Sequence, residues 1–584
     1  MDNAEIASVF RRIGLLLQIQ GANPFRVRAY ENAAHTVDDA VEPMAKLVER
    51  GDDLTALDGI GKEMAANIRE LVETGSLGKL EQLGSEIPIS LIDIVALPGV
   101  GPKKAKRLWQ EMGITEVNAL AEAALAGEIS KLSGFGVKSE QQILAGIERQ
   151  RRYANRLSLA QVDTQATPLL EYLREISGVR KLEVAGSYRR RRETIGDLDI
   201  LAVASKPERL VRGFGEYPLV ASIEKAGDTR ATVILESGFQ VDLRVVPAKS
   251  WGAALVYFTG SKAHNIKLRQ RAIERGMRLS EYGVFDETGL DEGEGEGDPW
   301  AGEYVAGKSE RTVYSSVQLP WVPPELREDR GEVKAAASKR LPKLIREQDL
   351  RGDLQTHSNW SDGKNSIEEM VVAAKARGYE YLAVTDHSPL LAMTGGLDRH
   401  KLKQQWAQIE AVQDRHPEVR ILKGMEVDIL ENGSLDMDEQ SLEELDLVLV
   451  AIHSSFDLST ADQTARVLKA LSHPRAHIWA HPLARRMGKR DEIKIDLDAA
   501  LHCAVENGVA VEHNAHPQRL DLRDVHLLKA RELGLDVAIG TDAHAVDQLD
   551  LIHYGVEQAR RAWLTKKDVL NAMPLKPLLK WLDK

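Results

Sequence analysis

The sequence predicts a multidomain α+β and α/β protein: a helical N-terminal part, then a mixed sheet, then a distorted parallel (β/α)7 barrel. The chain has 584 residues, enough for about four domains of ordinary size. Glycine-punctuated helical segments fill roughly the first 150 residues, after which the apolar periodicity becomes that of strands. Of the 16 histidines, 14 lie in the last 234 residues, where short apolar segments alternate with helical ones.

Composition excludes several classes of protein. Apolar residues make up 43% of the chain, too many for disorder along its whole length. The single cysteine, Cys503, excludes internal disulfides and thiolate zinc clusters and fits a reducing compartment. No apolar run reaches the roughly 18 residues that a membrane helix needs, and the N-terminus lacks the features of a signal peptide. We therefore expect a cytoplasmic protein with no membrane partner.

Three copies of one glycine motif punctuate the helical part, at residues 57–61, 97–101 and 132–136. Each reads Leu, any residue, Gly, apolar residue, Gly, and precedes an amphipathic stretch. The glycines allow a tight turn, and the N–H groups that begin the next helix can hold a phosphate. The pattern is typical of helix-hairpin-helix motifs, which grip nucleic-acid backbone without reading sequence. The predicted DNA-binding residues are Gly59, Gly61, Gly99, Gly101, Lys103 and Lys104.

Paired aspartates mark the mixed sheet, whose predicted strands are 179–184, 198–204, 232–235 and 241–246. Asp197 and Asp199 are two residues apart, so both side chains leave the same face of a strand. Asp242, on a neighbouring strand, would add a third carboxylate. Three carboxylates around two hard cations form the two-metal clamp of phosphoryl and nucleotidyl transfer, and Mg²⁺ suits such ligands.

The residues upstream of these aspartates are suited to hold phosphate. Gly186 permits close backbone approach, Ser187 offers a hydroxyl, and Arg190 offers a guanidinium. Residues 151–275 contain 22 basic and 14 acidic residues, although the whole chain has a net charge of −12. DNA binding depends on where the charge sits, so the acidic balance does not exclude it.

Two segments have the composition of connecting regions. Residues 286–303 contain eight acidic residues and no basic one, which indicates an exposed, flexible loop. Residues 317–345 are rich in proline and charge, and they are the best candidate for a linker.

The aspartate block resembles the nucleotidyltransferase signature of DNA polymerase family X, the DNA polymerase beta-like family. Residues 257–261, Tyr-Phe-Thr-Gly-Ser, look like that family's sugar-sensing turn, and the resemblance covers about residues 1–316. It implies that Asp197 and Asp199 bind two Mg²⁺ or Mn²⁺ ions and that Asp242 helps to activate the primer 3′-hydroxyl. It also implies these nucleotide-binding residues: Gly186, Ser187, Arg190, Tyr257, Phe258, Gly260, Asn265 and Arg269, with Tyr257 and Phe258 discriminating deoxyribose from ribose.

One departure from the family concerns a lyase activity. Some members carry a Schiff-base lysine in the helix after the first hairpin, and the matching position here is Asn67. An amide cannot form the imine, and the nearby Lys62 lies at the turn. The sequence therefore predicts that 5′-deoxyribose phosphate lyase activity is absent or weak.

Metal-ligand residues recur at the ends of seven short apolar segments after residue 346. In a parallel β/α barrel these ends converge at one mouth, where catalytic residues sit. Imidazole and carboxylate groups suit Zn²⁺ or Mn²⁺, and a multi-metal site can activate water and clamp a phosphate. His513 and His516 are intermediate cases, which we leave out of the predicted ligand set. The histidines without this pattern, interpreted as surface or packing residues, are His400, His416, His473, His502, His526 and His553.

This last part, about residues 346–584, resembles the polymerase-and-histidinol-phosphatase (PHP) domain, a seven-stranded barrel that holds up to three metals, here Zn²⁺ or Mn²⁺. It is a known companion of bacterial family X polymerases. The family's first motif is His-x-His, whereas this chain has Gln355, Thr356 and His357. An amide oxygen is a poorer ligand than imidazole, which weakens one metal position and favours Mn²⁺. The implied ligands are His357, Asp362, His387, Glu426, His453, His481, Asp542 and His544.

The two resemblances together imply six regions. These are a lyase-like helix-hairpin-helix domain at 1–85, fingers at 86–150, a nucleotidyltransferase palm at 151–250, a thumb at 251–316, a linker at 317–345 and the PHP barrel at 346–584.

The predicted function is a two-activity DNA repair enzyme, acting for example in base excision repair. It would bind gapped or nicked DNA, add deoxynucleotides from their triphosphates under template direction, and act on DNA ends as a 3′→5′ exonuclease, 3′-phosphatase or abasic-site endonuclease. We expect a monomer in the bacterial cytoplasm, associated with the nucleoid.

Two alternatives stay open. The barrel could be a non-catalytic structural or DNA-positioning module, an idea that Gln355 favours. The front half could be a template-independent nucleotidyltransferase, against which the hairpin repeats argue.

Overall fold

A computed structural model describes residues 1, 3–39, 44–57, 59–97, 99–153, 156–289, 298–390 and 394–583. The chain forms two compact units, Met1–Ala154 and Asn155–Lys584. The centre of the predicted acidic loop, residues 290–297, lies outside the described residues. Within the described part, no helix combines the length and the apolar character needed to cross a membrane.

The first unit is a helical assembly around one apolar core, to which Phe10 and Tyr30 contribute an edge-to-face ring pair with centroids 5.8 Å apart. The three predicted glycine turns are present. Gly59, Gly99 and Gly134 adopt the left-handed conformation, with φ of 77°, 80° and 83°. Only glycine enters this region without strain, which explains the first glycine of each motif. The helices are α1 (Asn3–Gln20), α2 (Pro24–Asp39), α3 (Met44–Glu49), α4 (Lys62–Thr74), α5 (Gly78–Glu86), α6 (Leu91–Val95), α7 (Pro102–Met112), α8 (Val117–Leu125) and α9 (Val137–Tyr153).

A five-stranded mixed sheet opens the second unit, and its strands lie in the order β2 (Val179–Val184), β4 (Asp197–Ala204), β7 (Gln240–Val245), β6 (Arg230–Leu235) and β5 (Val220–Ala226). Strand β4 runs antiparallel to β2 and parallel to β7, and this register sets Asp199 beside Asp242. The edge strand β5 was not predicted, because its residues are exposed on both faces and show no alternation. The elements are β1 (Leu157–Ser158), α10 (Leu159–Glu175), β2 (Val179–Val184), α11 (Gly186–Arg189), β3 (Thr194–Ile195), β4 (Asp197–Ala204), α12 (Pro207–Gly215), β5 (Val220–Ala226), β6 (Arg230–Leu235) and β7 (Gln240–Val245).

Helices and a three-stranded sheet follow, and the segment predicted as a linker packs against them. Val322 and Leu326 join the same apolar core as Val256 and Leu268, and the charged side chains of Arg327 and Glu332 are fully buried. The segment 317–345, predicted as a linker, is therefore packed against its neighbours, because apolar residues between its prolines have a core to bury into. The elements are α13 (Trp251–Thr259), α14 (Lys262–Ile273), β8 (Met277–Leu279), β9 (Val284–Asp286), β10 (Glu303–Ala306), α15 (Glu310–Ser316) and α16 (Glu332–Ala337).

Seven parallel strands in sequential order form the predicted C-terminal barrel. A bridge between Thr356 and Ala543 joins the first strand to the residues after the last and nearly closes the sheet. The strands are buried on both faces, as parallel strands covered by helices are. They and their helices are β11 (Gly352–Thr356), α17 (Ile367–Ala376), β12 (Tyr381–Val384), α18 (Arg399–Arg415), β13 (Arg420–Asp428), α19 (Glu439–Glu444), β14 (Leu447–Ala451), α20 (Thr460–Leu471), β15 (Ile478–Trp479), α21 (Leu497–Glu506), β16 (Ala510–Asn514), α22 (Asp524–Glu532), β17 (Val537–Gly540), α23 (Ile552–Arg561) and α24 (Leu575–Leu582).

Candidate active sites

The two aspartates of β4 face an open cavity of 680 Å³ beside the five-stranded sheet. Asp199 lies against Gly186, whose φ of 60° suits glycine and where a Cβ atom would clash with the Asp199 carboxylate. Burial raises the pKa of Asp199 to about 7, and the charges of Asp197 and Asp242 add to the rise. Burial and Asp242 also raise the pKa of Asp197. Carboxylates that repel one another in this way form a site suited to a hard cation.

Asp242 is held by its strand neighbours. Thr232 donates a hydrogen bond to one of its carboxylate oxygens, and Gln240 donates to the other at 2.7 Å. Among the described residues, the groups of histidine and carboxylate side chains whose ligand atoms converge within 4.8 Å all lie in the barrel. The structure therefore places Asp242 beside Asp199, but it does not draw Asp197, Asp199 and Asp242 into one tight cluster.

The predicted nucleotide-binding residues line the same cavity as the aspartates. The Arg190 guanidinium donates to the carbonyl of Thr259 at 2.6 Å, and the Asn265 amide donates to the carbonyl of Tyr257 at 2.7 Å. The rings of Tyr257 and Phe258 meet edge to face with centroids 5.0 Å apart. Outside the 257–261 turn, four further lining residues were not predicted as site residues: Arg156, Arg192, Thr194 and Lys262. Arg192 ends the arginine run at residues 189–192, whereas the other three carry no motif.

The arginine run is tied by ionic contacts to the barrel. Arg561, almost fully buried, donates to the carbonyl of Arg190 and pairs with Glu328 at 3.0 Å. Glu328 also pairs with the Arg190 side chain at 3.0 Å. Nearby, the buried Arg485 pairs with Glu193 at 2.7 Å. These contacts join residues between 138 and 371 positions apart, so no local pattern could predict them.

Glu426 is the centre of the barrel site. It is fully buried at the end of β13, and its Oε1 atom lies 2.7 Å from His481 Nε2 and 3.3 Å from His453 Nε2. Its Oε2 atom lies 3.4 Å from ring nitrogens of His357 and His387. Four histidines therefore surround one carboxylate, each contributed by the end of a different strand.

A second group of residues adjoins the first through His357. Its Nε2 lies 3.1 Å from Asp542 Oδ1, and its ring stacks on that of His544 with centroids 4.2 Å apart. Asp362 Oδ1 lies 3.3 Å from His544 Nε2 and 3.6 Å from His387 Nε2. Seven of the eight predicted ligands fall into three groups with convergent ligand atoms; His481 is outside these groups but contacts Glu426. The groups are His357-Asp362-His387-His544, His387-Glu426-His453 and His357-Glu426-Asp542.

The electrostatics of this site fit bound metal ions. Burial alone would raise the pKa of Glu426, but the surrounding histidines lower that pKa well below its usual value. Both ring nitrogens of His357, and Nδ1 of His387 and of His481, are buried without a hydrogen-bond partner among the described residues. Metal coordination is the natural partner for such nitrogens, and an imidazole–carboxylate set suits Zn²⁺ or Mn²⁺.

Outer contacts orient the candidate ligands. His453 Nδ1 lies 3.1 Å from Asp428 Oδ1, and His544 Nδ1 hydrogen-bonds to the carbonyl of Asp542 at 2.8 Å. Such partners fix the tautomer of a ligating histidine. Asp386, which precedes His387, instead accepts hydrogen bonds from Ser358 and Ser361, so it anchors a loop.

Gln355 has a structural role in the barrel. With its amide nitrogen directed toward Glu512, it donates to Glu512 Oε2 at 2.9 Å. Glu512 also accepts from the backbone N–H of His481 at 2.6 Å. Burial, together with the charge of Asp542, raises the pKa of Glu512 well above its usual value. At the position where the family motif has its first histidine, the Gln355 amide therefore hydrogen-bonds to Glu512. The three convergent groups form without Gln355.

The barrel cavity, of 450 Å³, has further lining residues that sequence reasoning missed. Among them are Phe456, Arg486, Arg490 and Arg519, and Arg519 Nε lies 3.3 Å from Asp542 Oδ2. The one sequence feature that points to any of these residues is the basic stretch around residue 486. His516 also lines the cavity, whereas His513 is buried and hydrogen-bonds to the carbonyl of Leu522.

The predicted DNA-binding residues of the first unit differ in how accessible they are to a phosphate. Beside Gly61 and Gly101 a Cβ atom would meet nothing within 4 Å, so both turns are open to an approaching phosphate. Lys103 is exposed, whereas Lys104 donates to the carbonyl of Gly99 at 2.8 Å and lies 5.1 Å from the ring centre of Phe135. Lys103 is therefore the freer of the two predicted cations.

Asn67 occupies a polar network in place of a reactive amine. Its amide donates to the Tyr30 hydroxyl at 3.2 Å, which in turn lies 3.3 Å from Glu63. We expect borohydride trapping of the full-length protein on 5′-deoxyribose phosphate DNA to give no cross-link above that of a Lys62→Ala variant. Efficient cross-linking that disappears in Lys62→Ala would show that Lys62 replaces the missing lysine.

Comparisons with known proteins cover both halves of the chain. Family models match a helix-hairpin-helix domain at residues 1–77, a SAM-like helix-hairpin-helix tandem at 91–149, the DNA polymerase beta thumb at 254–328 and the PHP domain at 353–516.

Among curated relatives, the Bacillus subtilis protein named DNA polymerase/3′-5′ exonuclease PolX is 38% identical over 587 residues, covering all of both chains. DNA polymerase lambda of Arabidopsis thaliana is 27% identical over 49% of this chain and 56% of its own. A probable phosphatase of Thermoanaerobacter is 26% identical over 38% of this chain and 89% of its own.

Proposed function

The chain belongs to DNA polymerase family X, in the form that carries a PHP domain, and from that membership we propose that it fills short gaps in DNA during repair while its barrel trims 3′ ends. It is an enzyme, a DNA-directed DNA polymerase. The observation that carries the gap-filling proposal is the pairing of Asp199 with Asp242 beside a basic nucleotide cavity. The convergent histidine and carboxylate groups carry the trimming proposal.

In the palm, Asp197 and Asp199 would hold Mg²⁺ or Mn²⁺, which when bound would neutralise charge on the transferred phosphate. Asp242, oriented by Thr232 and Gln240, would accept the proton of the primer 3′-hydroxyl or orient that hydroxyl. Ser187 and Arg190 would bind the triphosphate, and the Tyr257–Phe258 pair would form the wall against the sugar.

In the barrel, the convergent groups would hold up to three Zn²⁺ or Mn²⁺ ions, which when bound would activate a water molecule and counter phosphate charge. Hydrolysis would add the water oxygen to the phosphorus of the terminal phosphodiester and break its bond to the preceding 3′-oxygen, which takes up a proton. The products are a nucleoside 5′-monophosphate and a DNA end with a new 3′-hydroxyl.

The idea of a non-catalytic barrel finds no support in these contacts. It rested on Gln355, yet Gln355 bonds to Glu512 while the other residues form three convergent groups. The full-length relative carries exonuclease in its name. We therefore propose 3′→5′ exonuclease activity, with related phosphoesterase activities as secondary outcomes of the same site.

Separation-of-function variants test both activities in one protein. We expect Asp197→Ala to abolish extension of a primer across a one-nucleotide gap and to leave shortening of single-stranded DNA in Mn²⁺ unchanged. His357→Ala should do the reverse. Loss of both activities in either variant would contradict two independent sites, and insertion that ignores the template base would favour a template-independent transferase.

A further inference from the structure

The arginine run at residues 189–192 contacts both the nucleotide cavity and helix α23 of the barrel. Arg190, Arg192 and the preceding Ser187 line the cavity. The backbone carbonyls of Arg190 and Arg191 accept hydrogen bonds from side chains of α23. The run therefore presents side chains to the nucleotide cavity while the barrel holds its backbone.

Arg561 is the main anchor that α23 provides. Its side chain is only 3% exposed; it donates to the carbonyl of Arg190 and pairs with Glu328 at 3.0 Å and Asp524 at 2.8 Å. A buried guanidinium needs partners for its charge and its N–H groups, so these three contacts fix its position. Arg561 in turn holds Glu328, whose carboxylate also pairs with the Arg190 side chain at 3.0 Å.

Gln558 supports the next residue of the run. It lies one turn before Arg561 on α23, is buried, and donates to the carbonyl of Arg191 at 2.7 Å. Arg191 has a φ of 54°, in the left-handed region that residues with a side chain rarely adopt. Its guanidinium pairs with Glu557 of α23 at 2.7 Å. A backbone conformation of this kind persists only where surrounding contacts determine it, and α23 supplies these contacts.

The contacts of Arg190 leave one end of its guanidinium for a ligand. Its Nε atom pairs with Glu328, and its Nη1 atom donates to the carbonyl of Thr259 at 2.6 Å. With the described residues, its Nη2 atom makes no hydrogen bond. Because the guanidinium is a rigid plane, holding two of its nitrogens also sets the direction of the third. A displaced Glu328 would therefore misdirect the group that is to meet a phosphate.

We propose that Arg561 and Gln558 are positioning residues for nucleotide addition, holding the arginine run so that Arg190 and Ser187 meet the triphosphate of the incoming nucleotide. This inference rests on the proposed role of Arg190 and Ser187 in triphosphate binding. Among the described residues that line the cavity, neither Arg561 nor Gln558 is found, so both act through the run. The barrel thus contributes to synthesis by a route separate from its candidate metal groups.

Three variants of the full chain disturb this support. Arg561→Met and Gln558→Met remove the donors but keep much of the side-chain volume, and Glu328→Gln removes the charge that joins Arg561 to Arg190. Gln558→Met gives the test by itself if Arg561→Met fails to fold, because it removes one hydrogen bond and no charge.

Arg560→Met is the matched control. Arg560 is the neighbour of Arg561 on α23, but it pairs with Glu325 at 2.7 Å and donates to the carbonyl of Ile345. The measurements are kcat and the KM for the deoxynucleoside triphosphate in filling a one-nucleotide gap, and the Kd for the gapped DNA. A purely structural defect lowers the fraction of active protein and hence kcat, whereas a displaced triphosphate site raises KM.

We expect Arg561→Met to raise KM about tenfold and Gln558→Met about threefold, with little change in kcat and none in the Kd for DNA. Combining Arg561→Met with Glu328→Gln should raise KM by less than the product of the two single effects, because both act through Arg190. KM values equal to that of Arg560→Met, or a fall in kcat alone, would overturn the positioning role.

Arg190→Met separates this inference from the function on which it rests. If Arg190→Met leaves KM unchanged, the role of Arg190 in triphosphate binding fails. A raised KM in Arg561→Met and Gln558→Met would then still support positioning, through Ser187, and an unchanged KM in both would contradict it. If Arg190→Met raises KM and the two α23 variants do not, the positioning proposal fails and the triphosphate site stands.

Discussion

Replacing Glu426 with glutamine is expected to reduce shortening of single-stranded DNA by a factor of about 10²–10³ and to lower the content of bound metal. Glu426 is fully buried, and its oxygens lie within 3.4 Å of ring nitrogens of His357, His387, His453 and His481. The carboxylate belongs to two of the three convergent groups. Glutamine keeps the size and shape of the side chain but removes the negative charge that the cations need.

Two measurements check this expectation: elemental metal analysis of the purified variant, and its rate of DNA shortening in Mn²⁺. Glu443→Gln, an exposed change on α19 of the same barrel, is the matched control and should match wild type in both. Primer extension should be unchanged in either variant. Full metal content together with full hydrolysis in Glu426→Gln would remove Glu426 from the ligand set.

The barrel histidines show how much the sequence can predict. His357, His387, His453 and His481 each follow a short apolar strand, and a parallel sheet must bring such strand ends to one edge. Local pattern plus one rule of topology therefore sufficed to predict that they converge. The same reasoning predicted that Asp197 and Asp199 share one face of β4.

Contacts between distant segments were beyond that reasoning. Gln355 was expected to weaken a metal position, but its partner Glu512 comes from another strand and is visible only in the folded chain. Arg486, Arg490 and Arg519 all line the barrel cavity, although Arg519 comes from a different loop than the other two. Each of these residues taken alone is an ordinary polar side chain, and its role arises from neighbours that the sequence does not place.

Composition does not show which charged residues are buried. Prolines and charges at 317–345 predicted a linker, and within that segment Arg327 is fully buried because Glu310 and the carbonyl of Val322 satisfy its guanidinium. A charge can be buried when it is paired and hydrogen-bonded, and composition does not reveal such partners.

Asp199→Asn is expected to reduce primer extension by a factor of about 10³ or more, because an amide cannot hold a cation as the carboxylate does. The same change should stabilise the metal-free protein at alkaline pH. Burial and the neighbouring carboxylates Asp197 and Asp242 raise the pKa of Asp199 to about 7, from an ordinary value of 3.8. The folded protein thus keeps a proton that the unfolded chain releases above about pH 4.

The sign of the pH dependence follows from that proton. The stabilising contribution of protonated Asp199 is complete below the unfolded pKa and is lost as pH rises toward 7, so the wild-type free energy of unfolding falls over this range. Asparagine does not titrate, so the free energy of unfolding of the variant does not fall in this way as pH rises. A shift of about three units corresponds to at most about 4 kcal/mol, reduced in practice because the aspartates share the repulsion and solvent reaches the cavity.

Thermal unfolding in EDTA at pH 5 and pH 8 measures this difference. The melting temperature of Asp199→Asn should exceed that of wild type by more at pH 8 than at pH 5, whereas Asp228→Asn, on an exposed loop of the same sheet, should show no such difference. Saturating Mg²⁺ should reverse the order, because the cation stabilises only a protein that binds it. If the melting temperatures of Asp199→Asn and wild type differ by the same amount at both pH values, Asp199 is already ionised in the folded protein at pH 5. The repulsion that makes the palm a cation site would then have to come from Asp197 and Asp242 alone.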